Sequence, residues 1–197
     1  MAYERKDHYY KRAKEEGKAS RAVYKLAELQ TQFKLVKKGD VVLDLGCAPG
    51  GWLQELSQFV GQNGKVIGID LLKLKINPPP RCTFILGNLE EEDFQKKIIE
   101  LANGLVDVIL SDMSPNLSGV AFADAYRSYE LAMLALEMCK KLLKSDGNFV
   151  VKIFPGDEFH EYVKLLKENF KKVNIVTPKA TRKTSSERYI VSVGFKN

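Results

Sequence analysis

Short runs of apolar residues alternate along the chain with longer amphipathic stretches. Each run places apolar residues at consecutive positions, which is typical of strands buried on both faces of a parallel sheet. The longer stretches repeat apolar residues every three or four positions, the spacing of a helix that covers such a sheet. The predicted strands are residues 41–45, 65–69, 82–86, 107–110 and 148–154. The predicted helices are residues 20–33, 51–60, 91–102, 125–143 and 158–170.

The carboxyl-terminal segment departs from this alternation. Residues 173–177 and 189–195 are both strand-like, but the polar loop that separates them has no helical spacing. Strands joined in this way are expected to pair antiparallel, because a parallel pair needs a long crossover connection. The pattern therefore predicts an α/β fold: a Rossmann-like, mostly parallel seven-stranded sheet with an antiparallel terminal hairpin and helices on both faces.

Length and composition fit one domain of a globular protein. The chain has 197 residues, of which 45% are hydrophobic and 28% charged. No apolar run has the length of a membrane helix, and the charged N-terminus lacks the apolar core of a signal peptide. The three cysteines form no CxxC pair and there are only two histidines, so we expect no metal site and a cytoplasmic protein without disulfides.

Basic residues are concentrated near both ends of the chain. The net charge of +6 is a weak sign of a polyanionic partner, but basic residues interleaved with tyrosines before residue 25 suit phosphate contacts and base stacking. We predict a basic N-terminal arm over residues 1–19 and a single domain over 20–197. The candidate RNA-binding residues are Lys11, Arg12, Lys14, Arg21, Arg182 and Lys183.

A glycine-rich turn follows the first predicted strand and opens a helix, in the sequence DLGCAPGGW. Glycines at such a turn let the backbone approach a ligand closely, and ligands of this fold bind beyond the carboxyl ends of the strands. The spacing is not GxGxxG, which disfavours a dinucleotide with its pyrophosphate on the helix N-terminus. The candidate cofactor-binding residues of this turn are Gly46, Ala48, Pro49, Gly50, Gly51 and Trp52.

Polar residues end the next two predicted strands. Asp70 is placed where a carboxylate accepts both ribose hydroxyls of an adenosyl group, and Asn88 and Leu89 are placed to hold an adenine by an amide and an apolar contact. A P-loop sequence is absent. Together with the glycine turn, these residues predict binding of S-adenosyl-L-methionine, with S-adenosyl-L-homocysteine as product.

Three further polar residues fall where this topology places a reaction. Asp112 follows the strand at 107–110, Lys152 interrupts an apolar strand, and Glu187 precedes the last one. A lysine within an apolar strand is costly unless it is paired. A structural explanation for Lys152 is a buried ion pair. A functional explanation is an amine whose pKa is lowered by burial and a neighbouring cation.

At these residues the chain resembles the FtsJ/RrmJ family of RNA ribose 2′-O-methyltransferases, also called RlmE in bacteria. The resemblance runs from about residue 20 to 195 through SRAVYKLAEL, LDLGCAPGGW, GIDLL, SDMSPNLSG, LAMLALEMC, FVVKIF and SSERYIV. It implies a class I methyltransferase whose Lys-Asp-Lys-Glu catalytic tetrad falls on Lys25, Asp112, Lys152 and Glu187. The cofactor contacts that it implies fall on Gly50, Trp52, Asp70, Asn88 and Asp112. Asn88 departs from the aspartate usual in the bacterial enzymes, which weakens an inference of equal cofactor affinity.

The resemblance implies an in-line attack of the 2′-oxygen on the methyl group. Lys152 is the candidate general base if it is neutral part of the time. If Lys152 remains protonated, it instead orients the hydroxyl or stabilises the developing oxyanion. Lys25 favours the neutral form of Lys152 and Asp112 opposes it, while Glu187 orients Lys25 or the ribose.

The expected substrate is a uridine of 23S rRNA within the large ribosomal subunit. The protein would then act in ribosome biogenesis, and we expect no obligate protein partner. Transfer RNA and cap structures are alternatives with the same chemistry. Amino-group methylases carry Asn/Asp-Pro-Pro-Tyr where this chain has SDMSP, and cytosine C5 methylases need a cysteine there. A catalytically silent RNA-binding assembly factor is the alternative from another class, disfavoured by the complete tetrad.

Overall fold

The computed structural model describes residues 8–196, apart from the side chain of Glu92. The predicted arm over residues 1–19 is therefore described only from His8, and its first seven residues lie outside the described chain. The helices are α1 (His8–Glu15), α2 (Ala22–Phe33), α3 (Gly51–Phe59), α4 (Glu92–Ala102), α5 (Ala121–Leu142) and α6 (Phe159–Asn169). The strands are β1 (Val41–Leu45), β2 (Lys65–Asp70), β3 (Cys82–Leu86), β4 (Val106–Ser111), β5 (Leu143–Ile153), β6 (Phe170–Val176) and β7 (Arg188–Phe195).

The seven strands form one sheet in the order β3-β2-β1-β4-β5-β7-β6. Strands β1 to β5 pair parallel to one another, whereas β7 pairs antiparallel with both β5 and β6. This arrangement confirms the predicted fold. The order reverses at β1 and β4, so the carboxyl ends of these neighbouring strands meet at the crevice where α/β folds bind ligands.

Two apolar cores cover the two faces of the sheet. Leu43 and Ile109 belong to the core beneath α4, α5 and α6, whereas Val42 and Leu110 belong to the core beneath α2 and α3. Side chains at successive strand positions point to opposite faces. Because both faces are covered, consecutive positions are apolar, which explains the unbroken apolar runs of the sequence.

The helix α5 begins at Ala121, four residues before the predicted start at residue 125. Its first turn lacks an apolar stripe that faces the core: Phe122 is 78% exposed. The turn is held by the carboxylate of Asp124, which accepts hydrogen bonds from the backbone N–H groups of Ser118 and Gly119. Apolar periodicity carries no signal for a turn stabilised in this way.

Ser20 begins the predicted helix over residues 20–33 and is its candidate N-cap, but this prediction is wrong. Helix α2 begins at Ala22 with Arg21 at the N-cap position, and no side chain caps it. Ser20 instead packs against Gly51, where an added Cβ would lie 2.3 Å from the Ser20 hydroxyl oxygen. The serine therefore serves the contact between the start of α2 and the start of α3.

The residues that precede α2 pack against the domain. The Tyr9 ring of α1 lies 5.5 Å from the Tyr24 ring, and Glu16 accepts hydrogen bonds from Arg12 and from the Tyr24 hydroxyl. Lys18 forms an ion pair of 2.5 Å with Glu55 of α3. Within residues 8–196, no helix is both long and apolar enough to cross a membrane.

Candidate functional site

A cavity of about 360 Å³ opens at the carboxyl ends of β1, β2, β3 and β4, a size within the usual range of small-molecule sites. Six of the predicted cofactor residues line it: Gly46, Ala48, Asp70, Asn88, Leu89 and Asp112. The sequence did not indicate several others, among them Glu90, Met113, Ser114, Leu131 and Leu134. Leu131 and Leu134 are contributed by α5, whose apolar positions look like ordinary core residues in the sequence.

Gly46 makes the turn out of β1. Its φ is +76°, a conformation that side chains disfavour, and its N–H donates to the carbonyl of Ile69 at 2.9 Å. A Cβ added at Gly46 would lie 2.7 Å from Met113 Cγ and 2.9 Å from Met113 Cα. The glycine thus lets the turn after β1 and the segment after β4 approach each other at the floor of the cavity.

Asp70 has a carboxylate whose orientation is fixed by backbone donors. The N–H of Ala48 donates to Oδ2 and the N–H of Leu72 donates to Oδ1, both at 2.8 Å. A carboxylate has about four acceptor positions, so each oxygen retains capacity for another donor. Since Asp70 lines the cavity, its arrangement fits the two neighbouring hydroxyls of a ribose.

Asn88 forms a small hydrogen-bonded unit with Glu90. Its amide nitrogen donates to Glu90 Oε2 at 3.2 Å, and its amide oxygen accepts from the Glu90 N–H at 3.1 Å. Both residues line the cavity together with Leu89, which is buried. The unit provides an apolar contact and polar groups at one end of the cavity, as an adenine requires.

The other four predicted cofactor residues are not among the residues that line this cavity. Pro49 accepts a backbone hydrogen bond from Lys75, and a Cβ at Gly50 would lie 2.7 Å from Ile76 Cγ1. Gly51 contacts Ser20, and Trp52 donates from its indole nitrogen to the carbonyl of Ala22 at 2.9 Å. In this arrangement, Gly51 and Trp52 fix α2, the helix that carries Lys25, against α3.

The four residues of the expected tetrad come together beside the cavity. Lys25 forms an ion pair of 2.5 Å with Glu187, and Lys152 forms one of 3.1 Å with Asp112. Nζ of Lys152 also donates to the backbone carbonyl of Asp112 at 2.7 Å. Lys25, Lys152 and Glu187 are buried and Asp112 is partly buried, so both ion pairs are largely shielded from solvent.

Tyr189 joins the two ion pairs, and sequence reasoning missed it. Its hydroxyl donates to Asp112 Oδ1 at 2.6 Å and accepts from Lys25 Nζ at 3.2 Å. Tyr189 lies in β7 directly opposite Lys152 in β5. It is also two residues after Glu187 and therefore on the same face of the extended chain, which was the one available signal. Because Tyr189 is aromatic and lies in an apolar strand, the sequence pattern indicated a core residue and not a site residue.

The charges of this cluster act on Asp112 and Tyr189 in opposite ways. Burial alone would raise the pKa of Asp112, but the ammonium groups of Lys152 and Lys25 and the Tyr189 hydroxyl outweigh it and hold that pKa below the usual aspartate value. Burial, followed by the negative charges of Asp112 and Glu187, raises the pKa of the Tyr189 phenol well above its usual value. At neutral pH the cluster therefore contains an ionised aspartate and a neutral tyrosine.

Replacement of Tyr189 by phenylalanine tests its part in the cluster. We expect the Tyr189→Phe variant to transfer methyl about 10- to 100-fold more slowly at saturating substrates, because a hydrogen bond to a charged group is worth about 1.5–3 kcal/mol. Cofactor affinity should change little, since Tyr189 is not among the residues that line the cavity. Single-turnover kinetics measure the transfer rate, and isothermal titration calorimetry measures the cofactor affinity. An unchanged rate would show that the hydroxyl is not used.

Asp44 is a fully buried carboxyl group on β1, and no described residue donates a hydrogen bond to either of its oxygens. Burial, reinforced by the nearby carboxylates of Asp112 and Asp70, raises the pKa of Asp44 well above its usual value. The folded protein therefore binds this proton more tightly than the unfolded chain does. Protonation of Asp44 therefore adds to the free energy of unfolding at low pH, and this contribution is lost as the pH rises towards the raised pKa.

The variant Asp44→Asn removes this titration. We expect its free energy of unfolding, relative to that of the unsubstituted protein, to increase by about 1.4 kcal/mol per pH unit above the ordinary carboxyl range, until the raised pKa is reached. Chemical denaturation of both proteins between pH 5 and pH 8 measures this difference, in which all other titrating groups cancel. A difference that is constant across this range would contradict a raised pKa at Asp44.

The candidate RNA-binding residues fall into two groups. Lys11, Lys14 and Lys183 are exposed, as phosphate contacts require. Arg12 is paired with Glu16 and lies over the Tyr24 ring. Arg21 donates to the carbonyl of Ala180 and lies over the Tyr9 ring, whereas Arg182 is half-buried in the same loop as Ala180. Arg21 thereby links the start of α2 to the loop before β7.

Comparison of the sequence with known proteins gives a consistent result. The family model described as FtsJ-like methyltransferase matches residues 19–195. A protein of Methanococcus aeolicus named ribosomal RNA large subunit methyltransferase E is 46% identical over 189 residues, which cover 96% of this chain and 70% of the relative. A protein of the same name from Methanosarcina mazei is 46% identical over 196 residues, which cover 99% of this chain and 72% of the relative.

Solved structures agree with the fold. The crystal structure of a ribosomal RNA methyltransferase from Plasmodium falciparum is similar with a TM-score of 0.79 and 30% identity, and covers 90% of this chain and 98% of its own. The fibrillarin of Aeropyrum pernix, solved with bound S-adenosyl-L-methionine, has a TM-score of 0.60 at 19% identity over 87% of this chain and 76% of its own. At that identity the second likeness concerns the fold alone.

Proposed function

Since the chain belongs to the FtsJ-like methyltransferase family, which confirms the resemblance seen in the sequence, we propose that it methylates the 2′-hydroxyl of a ribose in large-subunit ribosomal RNA. The observation that carries the proposal is the cluster of two buried ion pairs, joined by Tyr189, beside a cavity lined by Gly46, Asp70 and Asn88. A cofactor cavity and a polar reaction centre that share the residue Asp112 suit group transfer between two bound molecules.

The cavity fits S-adenosyl-L-methionine. Asp70 would hold the ribose hydroxyls, the Asn88–Glu90 unit and Leu89 the adenine, and the turn at Gly46 leaves the space that a side chain would fill. When bound, this cofactor would supply a sulfonium methyl group as the electrophile, and S-adenosyl-L-homocysteine, which keeps the electron pair of the carbon–sulfur bond, would be the leaving group. The residues of the chain hold the donor in place and position the acceptor oxygen.

Lys152 is the residue that we assign to the 2′-oxygen. Its Nζ makes two contacts with Asp112, a hydrogen bond to the backbone carbonyl at 2.7 Å and an ion pair with the carboxylate at 3.1 Å. The third bonding position of Nζ remains for the 2′-hydroxyl of the substrate. In the ammonium form it is an N–H donor that stabilises negative charge on the 2′-oxygen, whose proton then passes to water. In the amine form it is a lone pair that accepts the hydroxyl proton.

The remaining members hold this arrangement. Asp112 receives the Tyr189 hydroxyl and the Lys152 ammonium on the same oxygen, Oδ1, which fixes the carboxylate beside the cavity. Lys25 holds Tyr189 and is itself held by Glu187 at 2.5 Å. We therefore assign Glu187 and Tyr189 as positioning residues, and Lys25 as a second cation that offsets the negative charge of the cluster.

The assigned substrate rests on the names of the archaeal relatives, which identify ribosomal RNA of the large subunit. Within that RNA we propose a uridine of 23S rRNA as the target. The test is transfer of labelled methyl to large ribosomal subunits, naked rRNA and bulk tRNA, all from cells that lack the corresponding enzyme. Label in large-subunit RNA is the expected result. Label in tRNA alone would contradict the proposed substrate, and label in none of them would favour an RNA-binding assembly factor.

We also propose that the arm over residues 1–19 contributes affinity for RNA, while residues 20–197 contain the reaction centre. In the double variant Lys11→Gln, Lys14→Gln, two exposed charges are lost. The slope of log affinity against log salt concentration should then fall by about 1.5, because each lost phosphate contact removes about 0.7–0.9. Filter binding at several salt concentrations measures the slope. An unchanged slope would show that these two lysines do not contact phosphate.

A further inference from the structure

The start of α5 exposes aromatic rings to solvent. Phe122 is 78% exposed, more than any other large apolar side chain described, and Tyr126 is 48% exposed. The two are four residues apart on the helix, so their rings lie on one face. Leu117 and Val120, in the loop before α5, are also largely exposed. An exposed apolar patch of this kind marks a binding surface more often than a neutral stretch of surface.

This patch borders an open cleft of about 500 Å³. Phe122 and Tyr126 form one wall, and the segment that leaves β5, with Pro155 and Gly156, forms another. Pro155 follows Lys152 by only three residues. The segment is also fixed to α5, because the N–H of Phe154 donates to the Ser128 hydroxyl at 3.0 Å. The cleft therefore lies at the same edge of the sheet as the reaction centre, on the α5 side.

The charges around the cleft restrict what it binds. Glu130, Asp157 and Glu158 contribute three carboxylates to its lining, against the single guanidinium of Arg127. Carboxylates repel phosphate and accept hydrogen bonds from N–H groups. The exposed aromatic rings provide faces on which a flat ring stacks. Together these features suit a planar, uncharged group that carries N–H donors, and they disfavour the phosphate backbone.

We propose that this cleft is a nucleobase pocket that holds a base of the substrate RNA next to the methylated nucleotide. The proposal rests on the proposed function, since it requires an RNA ribose at Lys152. Sequence-specific recognition of RNA commonly uses unstacked bases that are splayed out onto aromatic side chains. A nucleotide whose ribose reaches Lys152 is bonded through its phosphates to both neighbouring nucleotides, and the cleft begins at Pro155, three residues after that lysine along the chain. Phe122 and Tyr126 stack on the base, and the carboxylates accept its N–H groups.

The variants Phe122→Ala and Tyr126→Ala test the pocket. Stacking on an aromatic side chain is worth about 1–3 kcal/mol per base, so each variant should raise the KM for RNA about 5- to 100-fold. The affinity for S-adenosyl-L-methionine should be unchanged, which also shows that the variants fold. Phe122→Tyr, which keeps a ring, should retain the original KM, and Phe122→Leu should not. Leu105→Ala is the matched control, since Leu105 is an exposed apolar residue (41%) just before β4, at the opposite edge of the sheet.

Ultraviolet cross-linking of the full chain to the RNA that it methylates identifies the occupant. A nucleotide adduct on the peptide that contains Phe122 and Tyr126 is the expected result. Unchanged KM values in an active enzyme would overturn the pocket while leaving the proposed function intact. A KM effect seen only with ribosomal particles, without a nucleotide adduct, would assign the surface to a protein and also overturn it. Absence of transfer by the unsubstituted protein would reject the proposed function itself.

Discussion

Replacement of Lys152 by alanine is expected to reduce methyl transfer about 10²- to 10⁴-fold, the usual range for loss of a general base or of a charge-stabilising group. The lysine is 7% exposed, and both of its observed bonds go to Asp112. Affinity for S-adenosyl-L-methionine should remain within a few fold, because Lys152 is not among the residues that line the cavity. Single-turnover transfer and calorimetric titration of the cofactor separate the two effects.

Two comparisons make the Lys152 result specific. Lys152→Met keeps the aliphatic stem of the side chain and should lose transfer to the same extent. Lys164→Ala removes an exposed lysine of α6 and should lose none. Equal loss of transfer and cofactor affinity in both Lys152 variants would instead assign this residue to the structure of the site.

Replacement of Gly46 by alanine is expected to have the second largest effect, on both stability and cofactor binding. A side chain at φ +76° costs about 1–2 kcal/mol, and the added Cβ would lie within 3.0 Å of the backbone of Met113, which adds about 1–3 kcal/mol. We expect the melting temperature to fall by about 5–15 °C. Cofactor affinity should fall at least about 10-fold, because Gly46 and Met113 both line the cavity.

Gly39→Ala is the matched control for Gly46→Ala. Gly39 has a similar backbone conformation, with φ +92°, but an added Cβ would meet nothing within 4 Å. It precedes β1 and therefore lies at the opposite edge of the sheet. The Gly39→Ala variant should lose only the stability that a side chain at positive φ costs, and its cofactor affinity should be unchanged. Equal effects of the two substitutions would show that backbone strain, and not the contact with Met113, is what Gly46 relieves.

The sequence predicted the sheet well because burial on both faces leaves a simple signal. Strands β1 and β3 have the predicted bounds, and the polar loop before β7 correctly indicated the antiparallel hairpin. Features held by polar contacts were missed. The first turn of α5 depends on Asp124, and α1 depends on Tyr9, Arg12 and Glu16, so neither shows an apolar stripe.

The candidate site was predictable where each residue sits at a strand end or interrupts an apolar run. Asp70, Asp112 and Lys152 are of this kind, and the structure gathers them at one edge of the sheet. The bridging role of Tyr189 depends on which residue lies opposite it in β5, and the apposition of Asn88 and Glu90 depends on the conformation of a turn. Such relations are set by three-dimensional packing, which the order of residues along one chain does not specify.

The atom that receives the methyl group is measured most directly by digesting the methylated RNA to nucleosides and separating them against 2′-O-methyl and base-methyl standards. The assignment of Lys152, paired with Asp112, to the 2′-oxygen predicts that all of the label elutes as a 2′-O-methylnucleoside, and that Lys152→Ala incorporates almost none. The labelled linkage should also resist alkali, because its 2′-hydroxyl is no longer available for attack on the phosphate. Label on a base, or label that persists in Lys152→Ala, would contradict ribose methylation at this site.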